Sequence, residues 1–452
     1  MMVPRFRFPP SPTGPVHVGN MHTAVFCWAL SRALKGDFII RLEDTDVARN
    51  TPEATQLIFD ALHWLGLDWD EGPDIGGEFG PYVQSERRPF HQRTIEKLVD
   101  EGHAYYGDDA AQPASANGNP LRLKMPQTGH TILHDAIRGE IKFENSRLQD
   151  PIIVRSNGDP LYHLATVTDD HDMGITHVVR GEDWIPSSPI HIQLHKAMGW
   201  TEPVWVHLPL ILNRQGQKLK KRDPEGGYLI RDFQEAGYLP AALFNYLLLL
   251  GWTPDNGQEI VDKWTVRQQF RLERLSASPS IFDWDKLNWM NRQYMQRHSN
   301  ESLAELIRPF LEDVYDELPM QNEWLVRLTA VIRDELSKLE DAVDIAEWAF
   351  ADNFELAPSA QEALHSESAH PVLTRLVAEL AHVVLLDEAT AQTILQGLRT
   401  SFKESEGWKP TAVFHPIRAA LTGQTGGPPL AEIMAILGKN RTLQRIANAL
   451  RL

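Results

Sequence analysis

"PPSPTGPVHVGN", residues 9–20, sets three prolines in its first four positions, then two glycines and a histidine, between a strand-like run and a long apolar helix. Pro and Gly are ordinary turn residues, and "SPTG" fits a turn opened by Ser, with Gly14 tolerating positive φ. His17 and Gly19 are surplus to such a turn. They stand where helical spacing begins: Val25, Trp28, Ala29 and Ala33 recur at i, i+3, i+4 and i+8, and Gly36 is the expected stop. Unpaired N–H groups and the helix dipole favour an anion at a helix N-terminus. An imidazole and a residue without a side chain at that point make a candidate phosphate site.

The flanks extend this reading. "RFRF" precedes the loop, and "DFIIRLED" follows the helix as a buried strand. Thr51 and Pro52 then open a second helix as N-cap and N1, with Ala54, Leu57, Ile58, Ala61, Leu62 and Leu65 on one face. Such alternation predicts a parallel sheet with ligands at the carboxyl ends of its strands, where His17 and the "LEDTD" end would both lie. Residues 107–120, "GDDAAQPASANGNP", read as a surface loop at the edge of an insertion. Short strand-like runs, "EIKF" and "PIIVRS", follow, with "SNGD" as a turn signal. "VWVHLPLIL" leads into the basic loop "NRQGQKLKKRD", and from about Asp232 the spacing becomes helical. The expected architecture is an α/β nucleotide-binding half followed by an all-α C-terminal half, without internal repeats.

Length and composition bound the rest. The 452 residues suffice for two to four domains, and 42% apolar with 23% charged residues is ordinary for a water-soluble globular chain. The longest apolar run, "ALFNYLLLLGW", is too short to span a bilayer, and "MMVPRFRFPP" lacks the apolar core of a secretory signal. A cytoplasmic protein without membrane partners is expected. The single cysteine, Cys27, excludes an internal disulfide and a cysteine zinc cluster, and core packing is its expected role. The formal net charge of −17 argues against nucleic acid when taken alone. Its distribution does not: residues 301–390 hold 5 Lys+Arg against 20 Asp+Glu, whereas residues 391–452 hold 8 against 3. That basic terminal segment is either a docking face for phosphates or a solvated helical face.

No G-x-x-x-x-G-K-[ST], G-x-G-x-x-G or HExxH occurs, which removes the P-loop, the dinucleotide fingerprint and the common zinc-protease motif. A nucleotide reading rests instead on "PVHVGN" together with "KLKKR", Lys218 to Arg222. Lysines on a loop can close over a triphosphate and neutralise the charge that develops at a reacting phosphate.

These two elements resemble the HIGH and KMSKS-type regions of class I aminoacyl-tRNA synthetases. In order along the chain, "PSPTG…HVGN", "IIRLEDTDVAR", "LHWLGLDWDEGP", "YVQSERRPFHQ", "LYHLATVTDDHDMGITHVVRGEDW" and "PIRAALTG…ILGK" are similar to the bacterial glutamyl-tRNA synthetase family. The resemblance implies ATP-dependent activation of L-glutamate to glutamyl-adenylate and transfer to tRNA(Glu), with Mg²⁺ accompanying ATP and no structural zinc. Whether tRNA(Gln) is also charged stays open, and a monomer is expected. By the same resemblance Arg7, Ser11, Glu43, Tyr162, Thr166 and Arg180 bind glutamate, with Glu43 taking the ammonium. Which arginine meets which carboxylate is undecided, and buried structural ion pairs are the competing reading for Arg7 and Arg180. His17, Gly19, Asn20, Trp184 and Lys221 would meet ATP; the catalytic set is His17, Gly19, Lys218, Lys221 and Arg222. Arg418, Lys439, Arg441 and Arg445 would meet tRNA.

The implied domains are a catalytic first half (1–105), a shortened acceptor-stem insertion (106–160), a catalytic second half (161–230), a helical stem-contact region with the KMSKS-type loop at its start (231–310), and a helical anticodon-binding region (311–452). Three features depart from the family pattern: Lys220 where serine is usual, Thr166 where Asn is frequent, and a short, cysteine-free segment from Tyr106 to Leu121. Rival readings are activation of glutamine, a tRNA-base-modifying relative that lacks the helical half, and a catalytically silent tRNA-binding paralogue.

Overall fold

The computed structural model describes residues 3–45, 50–112, 114–220, 227–315, 322–351 and 354–452, and the chain divides into two units, Met1–Met290 and Asn291–Leu452. The division falls inside the helical segment 231–310. In the first unit a six-stranded sheet runs in the order Asp37–Ile40, Arg5–Phe8, His177–Gly181, Val204–Leu208, His130–Asp135, Gly139–Glu144. The first five strands are parallel, and the last is the antiparallel hairpin partner of the fifth. That hairpin lies within residues 106–160, so part of the expected insertion extends the main sheet. Ala104–Tyr106, Leu121–Leu123 and Ile152–Val154 form a separate three-stranded sheet.

Side chains alternate across the parallel strands. Phe6, Phe8, Phe38, Ile40, Val179, Val206 and Leu208 join one core with residues of the helices Val18–Ala33 and Pro240–Leu249. Ile39, Val178 and Trp205 pack on the other face with Met173 and Ile192. Arg7 is in register with Ile39, and Arg180 with His207, which puts both arginines on this second face near the carboxyl ends of their strands.

The first helix, Val18–Ala33, is capped by His17, whose Nδ1 accepts the Gly19 N–H at 3.0 Å. Gly36 does not supply the expected left-handed stop; Lys35 carries the positive φ, 54°. Gly36 is required for another reason, since a Cβ there would lie 2.2 Å from the Pro4 carbonyl oxygen, where the chain enters the sheet. The second helix, Pro52–Trp64, is capped by Thr51, whose hydroxyl oxygen accepts the Ala54 N–H at 3.1 Å. Its apolar face is narrower than its spacing suggests, because Leu57 is 40% exposed.

The second unit is helical throughout its described residues, and Gly438 (φ 70°) breaks the last helix, Leu430–Ala449. No helix among the described residues is long and apolar enough to cross a membrane.

Candidate active site

Two buried arginines come up from the strands, and their partners differ. Arg7 donates through Nε to Asp170 Oδ1 at 3.0 Å and through Nη1 to the Val179 carbonyl at 3.2 Å. Asp170, on the helix Tyr162–Asp172, also accepts from Arg41 Nη1 at 2.8 Å. Arg41 Nη2 in turn donates to Glu43 Oε1 at 2.9 Å, and the Thr166 hydroxyl donates to that same oxygen at 2.7 Å. Burial would raise the Asp170 carboxyl, but Arg7 and Arg41 hold it below the usual carboxylate range. For Glu43 burial wins, and its pKa is raised despite Arg41 and Thr166. The Glu43 N–H donates to the Pro10 carbonyl at 3.0 Å, which brings exposed Ser11 beside this cluster.

Arg180 is 5% exposed and is met by neutral acceptors: His207 Nε2 to its Nε at 3.0 Å, Ser188 Oγ to its Nη2 at 2.9 Å, and His191 Nδ1 facing its Nη1 at 3.3 Å. The Tyr162 phenol lies beside it, and the Asp170 charge acts from further off. Among the described residues no carboxylate is in direct contact with it. Burial lowers its pKa to about 10. Tyr162, whose phenol is pushed up to about 12 by burial and by the nearby Glu43 charge, senses Arg180 and Arg7 as well. Arg7, Glu43, Tyr162, Thr166 and Arg180, scattered over 174 positions of sequence, are therefore gathered in one largely buried charged cluster.

The Tyr162 ring lies 4.6 Å from the Trp184 ring, and Trp184 also borders a cleft of about 270 Å³. His17, Gly19, Asn20, Asp183, Leu210 and Lys218 line the same cleft, so the turn 9–20, the "RGED" strand end and the start of the basic loop converge there. A Cβ on Gly19 would stand 3.3 Å from His17 Nδ1, a fit only glycine makes without displacement. Lys218 Nζ lies 2.7 Å from Asp183 Oδ2. Lys221 and Arg222 fall outside the described residues. A larger cavity of about 570 Å³ exists in the second unit, but Asp387, Glu388 and Glu432 there outnumber Arg327, the wrong sign for a triphosphate.

Residues 4–117 and 110–289 match the family model described as "tRNA synthetases class I (E and Q), catalytic domain", and residues 302–450 match "Anticodon binding domain". A glutamate–tRNA ligase of Dehalococcoides mccartyi is 38% identical over 99% of this chain and 97% of its own length. One from Desulforamulus reducens is 35% identical, with 99% of each chain covered. The chain belongs to the class I glutamate–tRNA ligases. Among solved structures, a glutamate–tRNA ligase from Elizabethkingia meningosepticum, crystallised with its amino acid, superposes with a TM-score of 0.90 at 29% identity, covering 100% of this chain and 99% of that one.

In this glutamate–tRNA ligase-family chain the four C-terminal cations read as tRNA contacts have internal partners. Arg445, 3% exposed, donates to the Trp348 carbonyl at 2.7 Å and also to the carbonyls of Leu421 and Ala351. Arg441 donates to the carbonyls of Ala349 and Phe350 at 2.7 and 2.8 Å. Together they cover the carboxyl end of the short helix Glu347–Phe350, whose last carbonyls lack intrahelical donors. Lys439 reaches the Val383 carbonyl at 2.7 Å, just past the helix Ala369–Ala381, and Arg418 reaches the Pro428 carbonyl. The exposed cations of the basic segment are Arg399, Lys403, Lys409 and Arg451.

No sequence motif singles out Asp170, Arg41, His191 and His207, which hold Arg7, Arg180 and Glu43. Charged residues on buried strands were the available signal for Arg41. Nothing local marks His207.

Proposed function

We propose that this protein activates L-glutamate with ATP and transfers it to the terminal adenosine of tRNA(Glu). The observation that carries this reading is Arg180, a buried cation whose direct hydrogen-bond acceptors are neutral, beside the same Tyr162 phenol that senses the Glu43 charge. Asp170 acts on this guanidinium only from a distance, and a buried charge without a carboxylate in contact is costly, so a ligand carboxylate would relieve it. Arg7 already faces Asp170, and so has less to gain from a second anion. Glutamate offers two carboxylates and an ammonium, matching Arg180 and Arg7 on one side and Glu43 on the other. Glutamine would leave one guanidinium facing an amide.

In this reading the α-carboxylate attacks the α-phosphate of ATP in the adjoining cleft, diphosphate leaves, and a ribose hydroxyl of tRNA then displaces AMP from the mixed anhydride. His17 and Lys218 border the triphosphate, Gly19 and Asn20 leave room for the nucleotide, and Trp184 packs between the two pockets. Ser11 and Tyr162 close the glutamate side, Thr166 orients Glu43, and Lys221 with Arg222 neutralises charge as diphosphate forms. A Mg²⁺ ion accompanying ATP would be carried chiefly by phosphate oxygens and water. Residues 106–160 and 231–310 would meet the acceptor arm and 311–452 the anticodon, in a cytoplasmic monomer.

The test is ATP–pyrophosphate exchange in the presence of tRNA, with Glu or Gln as amino acid. Exchange with Glu at far higher kcat/KM than with Gln supports the reading, and equal exchange refutes the pocket argument.

A further inference from the structure

The acceptors of Arg180 continue into a chain of hydrogen bonds. His207 Nδ1 lies 2.7 Å from Asp135 Oδ2, and that same oxygen accepts the His207 backbone N–H at 3.1 Å. Both side chains are fully buried at this contact. On the other flank His191 Nε2 lies 2.9 Å from His163 Nδ1.

These contacts assign the protons. A guanidinium only donates, so His207 Nε2 must carry a lone pair, and its proton sits on Nδ1, where Asp135 accepts it. By the same logic His191 accepts through Nδ1, keeps its proton on Nε2 and passes it to His163. Burial lowers the pKa of His207, His191 and His163, the last to about 4, in keeping with neutral rings.

Asp135 stands on the strand beside Val204–Leu208, and its other oxygen accepts the N–H groups of Ile137 and Arg138 at 3.0 and 2.9 Å. The carboxylate is thus fixed by the turn that joins the two strands of the edge hairpin, and it fixes the histidine in turn. We propose that His207, locked in one tautomer by Asp135, is a positioning residue that aims the Arg180 guanidinium at the substrate carboxylate. The inference rests on the proposed glutamate pocket. It assigns the edge hairpin a part in substrate choice, because His207 gives Arg180 an acceptor without giving it a counter-charge. A carboxylate in place of His207 would neutralise the guanidinium and weaken its call on glutamate.

The test compares His207→Phe, His207→Gln and Asp135→Asn in tRNA-dependent pyrophosphate exchange, with the KM for glutamate and for ATP determined separately. Phe keeps the ring and removes the acceptor. The Gln amide oxygen can reach the position of Nε2. Asn at 135 turns an amide donor toward His207 Nδ1, which drives the ring proton to Nε2, opposite the Arg180 donor. Loss of a hydrogen bond to a charged group predicts a glutamate KM raised roughly ten- to a hundredfold in His207→Phe and Asp135→Asn. The KM for ATP should stay within about twofold, and His207→Gln should recover most of the glutamate affinity.

Equal loss in Phe and Gln, or a parallel rise in both KM values, would show a structural role only and overturn the proposal. An unchanged glutamate KM in His207→Phe would overturn it as well. Should His207→Phe fail to fold, the split between the two KM values in Asp135→Asn and the behaviour of His207→Gln decide the matter. Failure of the unsubstituted protein to exchange with glutamate would refute the proposed function itself, a result distinct from all of these.

Discussion

Thr166 donates its hydroxyl to Glu43 Oε1 at 2.7 Å, the oxygen that Arg41 also occupies at 2.9 Å. One carboxylate oxygen is therefore engaged, and in the proposed function the other would meet the ligand ammonium. Thr166→Val should raise the glutamate KM about three- to tenfold, the worth of one hydrogen bond, while Thr166→Ser stays near the parent. Steady-state exchange kinetics check this; an unchanged KM in the valine variant would detach Thr166 from the substrate site.

The two pocket arginines should part company on stability. Arg7→Ala exposes the buried Asp170 to the loss of one of its two cations, costing on the order of a few kcal/mol of folding free energy as well as activity. Arg180→Ala removes a buried cation with neutral partners, so glutamate activation should collapse with little loss of thermal stability. Differential scanning calorimetry beside exchange assays separates the cases, and a larger stability loss for Arg180→Ala would contradict the charge argument.

Acid should weaken the first unit early. Burial lowers the pKa of His22 to about 3 and of His163 and His195 to about 4. Unfolded histidine titrates near 6.5, so between about pH 6.5 and 4 the unfolded chain binds more protons than the folded one. The contribution of these neutral rings is complete above pH 6.5 and is lost as the pH falls. The melting temperature should drop progressively from pH 7 to 5, and a flat or rising profile would contradict the neutral burial of these rings.

Much of this was legible in sequence, for local reasons. The Pro–Gly turn before an apolar helix, the Thr51–Pro52 cap and the strand–helix alternation are set within a few residues, and the helix N-terminus at His17 followed from them. The resemblance carried Arg7, Glu43, Tyr162, Thr166 and Arg180 as a group. What stayed hidden was the partner chosen by each charge. His207 lies 27 positions from Arg180, and Asp135 lies 72 from His207, so only the sheet register unites them. Gly36 resembles a helix stop, yet its constraint is a neighbouring carbonyl. A count of cations likewise cannot tell Arg445, buried against carbonyls, from Arg399 in solvent.

The C-terminal cations should divide on that basis. Arg445→Ala strips three carbonyls of a buried donor and should destabilise the second unit by about 3 kcal/mol or more. Joint replacement of Arg399, Lys403 and Lys409 by alanine should leave folding intact, weaken tRNA binding and reduce its salt slope by about two to three. Thermal melts and filter binding between low and high salt distinguish the sets. A triple variant with unaltered tRNA affinity would remove that face from the interface.

The proposed choice of glutamate by Arg180, buried without a carboxylate in direct contact, is tested most directly by charging separated tRNA(Glu) and tRNA(Gln) with labelled Glu and labelled Gln, using the intact protein with ATP and Mg²⁺. The account predicts glutamate esterified to tRNA(Glu), no glutamine on either tRNA, and loss of the glutamate signal in Arg180→Ala; the tRNA(Gln) arm reads out whether glutamate is placed there too. Glutamine charged as efficiently as glutamate, or glutamate charged undiminished by Arg180→Ala, would contradict it.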